Sequence, residues 1–440
     1  MRRRVLSAVA LAASVAVVGT ACSSSGGGST SNAAATAASD PSTVSGDITV
    51  LTNRTDLIGD GTMKKYAAEF TKAYPKVHVK FQGLTDYEGE VKIRMNTKNY
   101  GDVLLIPAAV ARTDYPKFFA PLGSSADLTR TYDFVDSGTV GGKVYGLVSF
   151  ASANGFVYNK KVWEQAGVTK WPTTPDEFLD DLKLIKSKTG ATPYYTNYKD
   201  GWPLTAWTNI VGSASCDPEA NDKLAIQDPW KAGSDLRTGD TLLYDIVHRK
   251  LSEDDPTTTN WENSKNLLAT GKAATMWLGT WSVPQMQQAA EKAGADPADI
   301  GYMPFPEQID GRYCPVEAPD YKYAVNIHSS HKAAARAWID WVLNKSGYAT
   351  SVSGISSVKG SALPEILQPF QAAGAKMVIE SQAKTQQVND IDKAAEVGLQ
   401  TPDYRQKLID AARGAGGGSL DSILADLSEK WRSGQQTAGL

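Results

Sequence analysis

The chain has 440 residues, 42% of them hydrophobic and 21% charged. That is apolar material enough for a sizeable core and length for two domains of roughly 100–200 residues each. The formal net charge is −3, and without Arg2, Arg3 and Arg4 it is −3 − 3 = −6; a mildly acidic chain with no long Lys/Arg run is a poor nucleic-acid binder.

The first 21 residues have the layout of a secretory signal peptide. Met1–Arg4 is basic, Val5 to Val18 is apolar apart from Ser7 and Ser14, and Gly19-Thr20-Ala21 are small. The apolar run is shorter than the roughly 20 residues a membrane-spanning helix needs. Cys22 follows directly, and the arrangement resembles a lipobox, in which the thiol is acylated and becomes the mature N-terminus. Arg2-Arg3-Arg4-Val5-Leu6 fits a twin-arginine export signal as well as an ordinary basic leader. Residues 22–46 are rich in Ser, Gly, Ala and Thr and are expected to be a flexible tether, reaching roughly 25–30 Å r.m.s.. Among the three cysteines no CxxC spacing occurs, which excludes a zinc ribbon or a thioredoxin-like motif. In an exported protein Cys216 and Cys314 are either a disulfide or two separate thiols.

Ile48-Thr49-Val50-Leu51 is a short strand-forming run. From about Thr62 to Tyr74, residues Met63, Tyr66, Ala67, Phe70 and Tyr74 recur at helical spacing, and Pro75 ends the helix. Val77, Val79 and Phe81 alternate with Lys76, His78 and Lys80, which is strand periodicity. Val103 to Ile106 reads as a strand covered on both faces. Strands alternating with helices predict a mostly parallel sheet in α/β layers. Thr174-Pro175-Asp176-Glu177 is a capping box that opens another helix. Helices are also predicted over about Lys332 to Leu343, after Thr401-Pro402, and from Leu420 to Trp431.

Motifs for catalysis are missing from the sequence. There is no GxSxG, HExxH or GxGxxG, and Gly138 to Lys143 fails the phosphate-loop pattern because Val144 stands where Ser or Thr is needed. His328 and His331 lack a clustered carboxylate, so neither a metal nor a cofactor is expected. The 11 Trp and 18 Tyr are more informative. Many lie near Gly and Pro instead of in periodic core segments, as in Tyr194-Tyr195…Tyr198…Trp202…Trp207 and Trp277…Trp281. Aromatic faces suit the apolar C–H faces of sugars, and Asp, Asn, Arg and Glu suit their hydroxyl rims. Trp338 and Trp341 lie on one helix face and are read as core.

Several segments, in order, resemble the family 1 extracellular solute-binding proteins, the maltose-binding-protein-like group. They are Ile48 to Asp56 with Phe70 to Val79, Tyr100-Gly101-Asp102-Val103, Gly142 to Leu147 with Asn154-Gly155 and Val157 to Lys160, Gly271 to Ala274 with Gly279-Thr280-Trp281, and Gly301 to Pro306 with the Ala334–Leu343 helix. The resemblance implies a two-lobed periplasmic-binding-protein-like α/β fold with a hinge and an interlobe cleft. It implies lobes discontinuous in sequence, an N-terminal lobe of 47–153 plus 302–344 and a C-terminal lobe of 154–301 plus 345–440. It further implies no enzymatic activity, and a monomer on the extracellular face of the cell membrane. Through its lipid anchor the protein would capture a carbohydrate by hinge closure and deliver it to the transmembrane subunits of an ABC permease. The ligand-binding residues so implied are Asn53, Arg54 and Asp56 after the first strand, Tyr87 and Glu88 after the second, Asp102, Asn154, Trp202, Trp207, Trp277 and, at the G-x-W position, Trp281. A secreted polysaccharide-active enzyme and a binding protein of the same fold for a non-sugar solute are the alternatives.

Overall fold

The computed structural model describes residues 34–37 and 40–439. Cys22 and the segment before it lie outside the described residues. Two sheets organise the chain. In the first, the strands run in the order Val77–Gly83, Gly46–Thr52, Val103–Leu105, Lys322–Asn326 and Phe119–Ala120. The first three are parallel, with Val50 opposite both Phe81 and Val103. Lys322–Asn326 returns from the far end of the chain and runs antiparallel, Ala324 opposite Leu104. The second sheet is built around Ala151–Asn159, which pairs antiparallel with Thr275–Gly279, Ile300–Met303 and Val316–Pro319. The mostly parallel sheet read from the alternation of elements therefore holds for only part of one lobe. Long crossovers return several strands from the opposite direction.

Helices cover the sheets through the faces their periodicity marks. Thr62–Ala73 buries Met63, Tyr66 and Phe70, and Phe70 meets Trp338 of the Lys332–Asn344 helix edge-on at 5.2 Å. Trp338 and Trp341 are core, as their spacing indicated. The helix Pro175–Lys188 starts where Thr174 accepts a hydrogen bond from the Glu177 amide.

One core spans residues from Ala35 to Phe150 and from Tyr323 to Val352; a second takes residues from Phe156 to Phe305 and from Val388 to Trp431. Strand pairing moves two boundaries expected from the sequence. Ile300–Met303 and Val316–Pro319 belong to the second sheet, so the return crossing lies near Asp320, not 302, and Tyr348 and Val352 pack with the first core. At the crossing three segments lie side by side. Ser149 donates to the Tyr321 carbonyl at 2.8 Å, Asp320 to Phe150 at 3.0 Å, and Ala151 and Ile355 exchange backbone bonds of 2.7 and 2.6 Å.

The expected tether also ends sooner. Ala35 is fully buried, its amide donates to the Pro121 carbonyl at 2.9 Å, and its own carbonyl accepts from the buried Arg336. Val44 is buried as well, and Gly46 already belongs to the first strand. A small side chain needs few neighbours to be covered, and a low-hydropathy segment can dock through its backbone. Cys216 and Cys314 are joined in a disulfide, with Cα atoms 5.2 Å apart at a sequence separation of 98. Among the described residues no helix is long and apolar enough to cross a membrane.

Candidate ligand-binding site

Three indoles gather where the lobes adjoin. The strand Thr275–Gly279 ends beside Asn154, and the helix Ser282–Ala293 begins two residues later, leaving Trp281 at the junction. A Cβ on Gly279 would sit 2.5 Å from Trp281 Nε1, so only glycine lets the ring fold back across the strand end. The half-buried Trp281 packs against apolar residues of both lobes. Trp202 opens the short helix Trp202–Thr205 and is 39% exposed, unusual for so large an apolar side chain. Trp261 is the first residue of the helix Trp261–Ala269. Ring centroids are 5.1 Å apart for Trp202 and Trp261, 5.8 Å for Trp202 and Trp281, and 5.9 Å for Trp261 and Trp281. The interplanar angles of 78°, 42° and 66° give a faceted wall and not a single flat platform. Lys265 Nζ lies 5.3 Å from the Trp261 ring. On the neighbouring strand Asn154 accepts from Asn209 at 3.3 Å, while Asn154 Nδ2 and Ser152 Oγ are buried with no partner in the protein.

The first lobe contributes polar groups at the C-terminal ends of its parallel strands, where open α/β sheets place their ligands. Arg54 forks onto Asp56 at 2.9 and 2.6 Å, and Asn53 precedes it, half-buried. Burial opposes the Arg54 charge, but Asp56 and Tyr348 outweigh it and hold the guanidinium above its usual range. Burial likewise works to raise the Asp56 carboxyl, and Arg54 overrides it, keeping Asp56 below its usual value. Glu88 accepts from the Ala108 amide at 3.1 Å and from the Tyr321 hydroxyl at 2.6 Å. Asp320, at the crossing, has its carboxyl raised by burial, with Arg54 and Lys322 pulling it partly back.

Four of the residues named from the sequence fall elsewhere. Trp207 and Trp277 are each 1% exposed and stack on one another at 5.4 Å in the second core. Their ring nitrogens are satisfied by Tyr194 Oη and the Ala206 carbonyl, so neither faces a ligand. Tyr87 is buried on the helix Tyr87–Arg94, and its hydroxyl both donates to the Leu105 carbonyl and accepts from the Leu105 amide. Asp102 directly precedes the strand Val103–Leu105. Its carboxylate takes the Thr49 amide at 2.8 Å and the Ser329 hydroxyl at 2.6 Å, so it is occupied within the first sheet at the N-terminal end of its strand, whereas Arg54 follows the C-terminal end of Gly46–Thr52. Trp261 is the ring that the sequence reading missed; its signal was an Asn260 N-cap directly before an aromatic at a helix start. A cavity of about 760 Å³ lies between the helices Thr385–Ala395, Asp403–Ala412 and Leu420–Thr437. Mixed charges such as Lys393, Lys407, Asp403 and Asp426 line it, and no indole faces it.

Among the carboxyls lifted by burial, three glutamates reach about 7 or 8. Glu253 is pushed up to about 7, with Asp255 adding to burial against the hydrogen bonds from Thr196. Glu317 is pushed up to about 7, with Asp133 adding. Glu380 is pushed up to about 8, with Asp235 and Asp222 adding. Each binds its proton more tightly folded than unfolded, where the usual value is 4.5. Their contribution is complete below that value and is lost as pH rises through 7 to 8. The melting temperature of the unliganded protein should therefore rise by a few degrees between pH 8 and pH 5. Calorimetric scans at fixed ionic strength check this, and a melting temperature that falls over the same interval contradicts it.

Residues 55–349 match the model of the bacterial extracellular solute-binding protein family. A multiple sugar-binding protein of Streptococcus mutans is 27% identical over 299 residues, 64% of this chain and 68% of that one. Among solved structures, a binding protein of an ABC transporter from Bifidobacterium animalis subsp. lactis, in complex with mannobiose, superposes with a TM-score of 0.85 at 31% identity, covering 91% of this chain and 96% of that one. A manno-oligosaccharide-specific solute-binding protein of the same organism, in complex with mannotriose, gives 0.84 at 29%, covering 90% and 95%.

Proposed function

Since the chain belongs to the bacterial extracellular solute-binding proteins, we propose that it is the carbohydrate-capturing subunit of an ABC importer. The observation that carries this reading is the wall of Trp202, Trp261 and Trp281, with Trp281 packed against both lobes, and Arg54, Asp56 and Glu88 supply hydrogen-bonding groups from the first lobe. Indole faces take the C–H surfaces of pyranoses, and carboxylates and a guanidinium take diols. Three facets set at different angles offer more stacking surface than one pyranose covers, so the ligand is a short oligosaccharide. The mannobiose and mannotriose held by two similar structures make manno-oligosaccharides the first class to test. The segments that cross near Phe150, Asp320 and Ile355 act as the hinge, and differential binding to the closed state draws the lobes together. The protein works as a monomer, anchored through acylated Cys22 at the extracellular face and docking its closed form on the permease. It returns its ligand unchanged.

Calorimetric titration with mannobiose, mannotriose and unrelated di- and trisaccharides tests the reading. Manno-oligosaccharides should bind at micromolar Kd or tighter, compact the protein in small-angle scattering, and be recovered intact by chromatography. No heat of binding across the panel, or ligand recovered cleaved, would remove it.

A further inference from the structure

The indole wall stands on two loops from distant parts of the sequence, and one exposed carboxylate ties them together. Asp200 accepts the Trp202 amide with its main-chain carbonyl at 2.8 Å and the Trp261 amide with Oδ2 at 2.5 Å. A single residue thus holds the backbone of both neighbouring ring-bearing positions. The second of these bonds places a negative charge at the N-terminus of the helix Trp261–Ala269, where the first amides lack partners within the helix. Around it the same two loops are stitched twice more. Lys199 donates its amide to Thr259 Oγ1 at 2.9 Å, and the Thr196 amide reaches Glu253 at 3.0 Å. Behind them, Gly201 adopts φ +74°, and a Cβ there would meet Pro402 at 2.9 Å, so the chain turns into Trp202 under tight constraint. The two rings fixed in this way meet at 78°, and Trp281 leans on both.

We infer that Asp200 is a positioning residue for carbohydrate recognition: it sets the angle between the Trp202 and Trp261 rings without itself touching the ligand. This rests on the binding function proposed above. Removing the carboxylate frees the N-terminal turn carrying Trp261 while leaving every ring in the protein. The wall then presents many ring arrangements, few of which fit the sugar, and affinity falls by the fraction that do.

The test compares Asp200→Ala, Asp200→Asn and Trp261→Ala, singly and with Asp200→Ala combined with Trp261→Ala. Mannotriose affinity should fall roughly fivefold or more in Asp200→Ala, the scale of a lost helix-terminus hydrogen bond. It should be largely kept in Asp200→Asn, which retains an oxygen acceptor for the Trp261 amide. In the Trp261→Ala background, Asp200→Ala should cost nothing further, because the carboxylate acts through that ring. Near-ultraviolet circular dichroism of the ligand-free protein should show the coupled indole signal reduced in Asp200→Ala and preserved in Asp200→Asn. That signal is read without any ligand, so it distinguishes an error here from an error in the assigned sugar class. Unaltered affinity and dichroism in Asp200→Ala overturn the inference. So do losses from Asp200→Ala and Trp261→Ala that simply add, which would make Asp200 a direct ligand contact.

Discussion

Replacing Trp281 by alanine should weaken oligosaccharide binding by roughly 10- to 70-fold. Stacking one pyranose face on an indole removes roughly 60–100 Å² of apolar surface from water, or about 1.5–2.5 kcal/mol at about 25 cal/mol per Å². Each 1.4 kcal/mol is about a factor of ten. Trp281 also touches apolar residues of both lobes, so some stability goes with the ring. The two losses separate by measurement. A titration with mannotriose reads the first, and a melt of the free protein reads the second. A ring that served only as core would lower stability by about 3–5 kcal/mol and leave affinity intact. That outcome would take Trp281 out of the site.

A different large effect is expected far from the wall. Arg405 and Asp240 are 0% and 1% exposed and pair at 3.1 Å. Asp240 also accepts from Trp230 Nε1 at 2.8 Å, and Arg405 donates to Thr208 Oγ1 at 2.9 Å, whose hydroxyl in turn donates a hydrogen bond to the Leu399 carbonyl. Asp240→Ala would strand a buried guanidinium beside an indole N–H without an acceptor. Breaking such a pair from one side costs about 3–5 kcal/mol. Denaturant unfolding should show that loss, while mannotriose affinity below the melting temperature stays at the wild-type value. Replacing both partners, as Asp240→Leu with Arg405→Met, should recover a large part of it, because no unpaired charge is left behind. A loss under about 1 kcal/mol in the single variant would mean that water reaches the guanidinium.

These two cases mark where the sequence was readable. Alternation at Val77, Val79 and Phe81 and the helical spacing of Met63, Tyr66 and Phe70 carry inside–outside information locally, and the strands and helices stand there. The two-lobed architecture came through the ordered family segments, since no local pattern tells a chain to cross between lobes. Single aromatics were harder. Trp207 and Trp281 both sit near glycine or helix starts, and only the tertiary neighbours decide that Tyr194, Phe156 and Trp277 enclose the first. Asp102 was implied as a ligand contact only by the family resemblance, and its bonds to Thr49 and Ser329 depend on segments far away in sequence. Asp200 and Trp261 are 61 residues apart in sequence, and nothing in either segment predicts their bond. Gly279 was the exception: the glycine before Trp281 is required by the ring itself.

The strand Lys322–Asn326 occupies the middle of the first sheet, between Val103–Leu105 and Phe119–Ala120. Until it arrives, Val103–Leu105 has an open edge and the first core lacks Tyr323, Ala324, Val325 and the Trp338 face. At about 5–20 residues per second, synthesis from Leu105 to Asn326 takes roughly 11–44 s. During that interval the strand-forming segments of the first lobe have been made but cannot close their sheet, and their contacts have high sequence separation, which slows folding further. The nascent chain thus stays less compact for that time. It also exposes unpaired edges to aggregation for the same time, a cost set by the late arrival of one central strand.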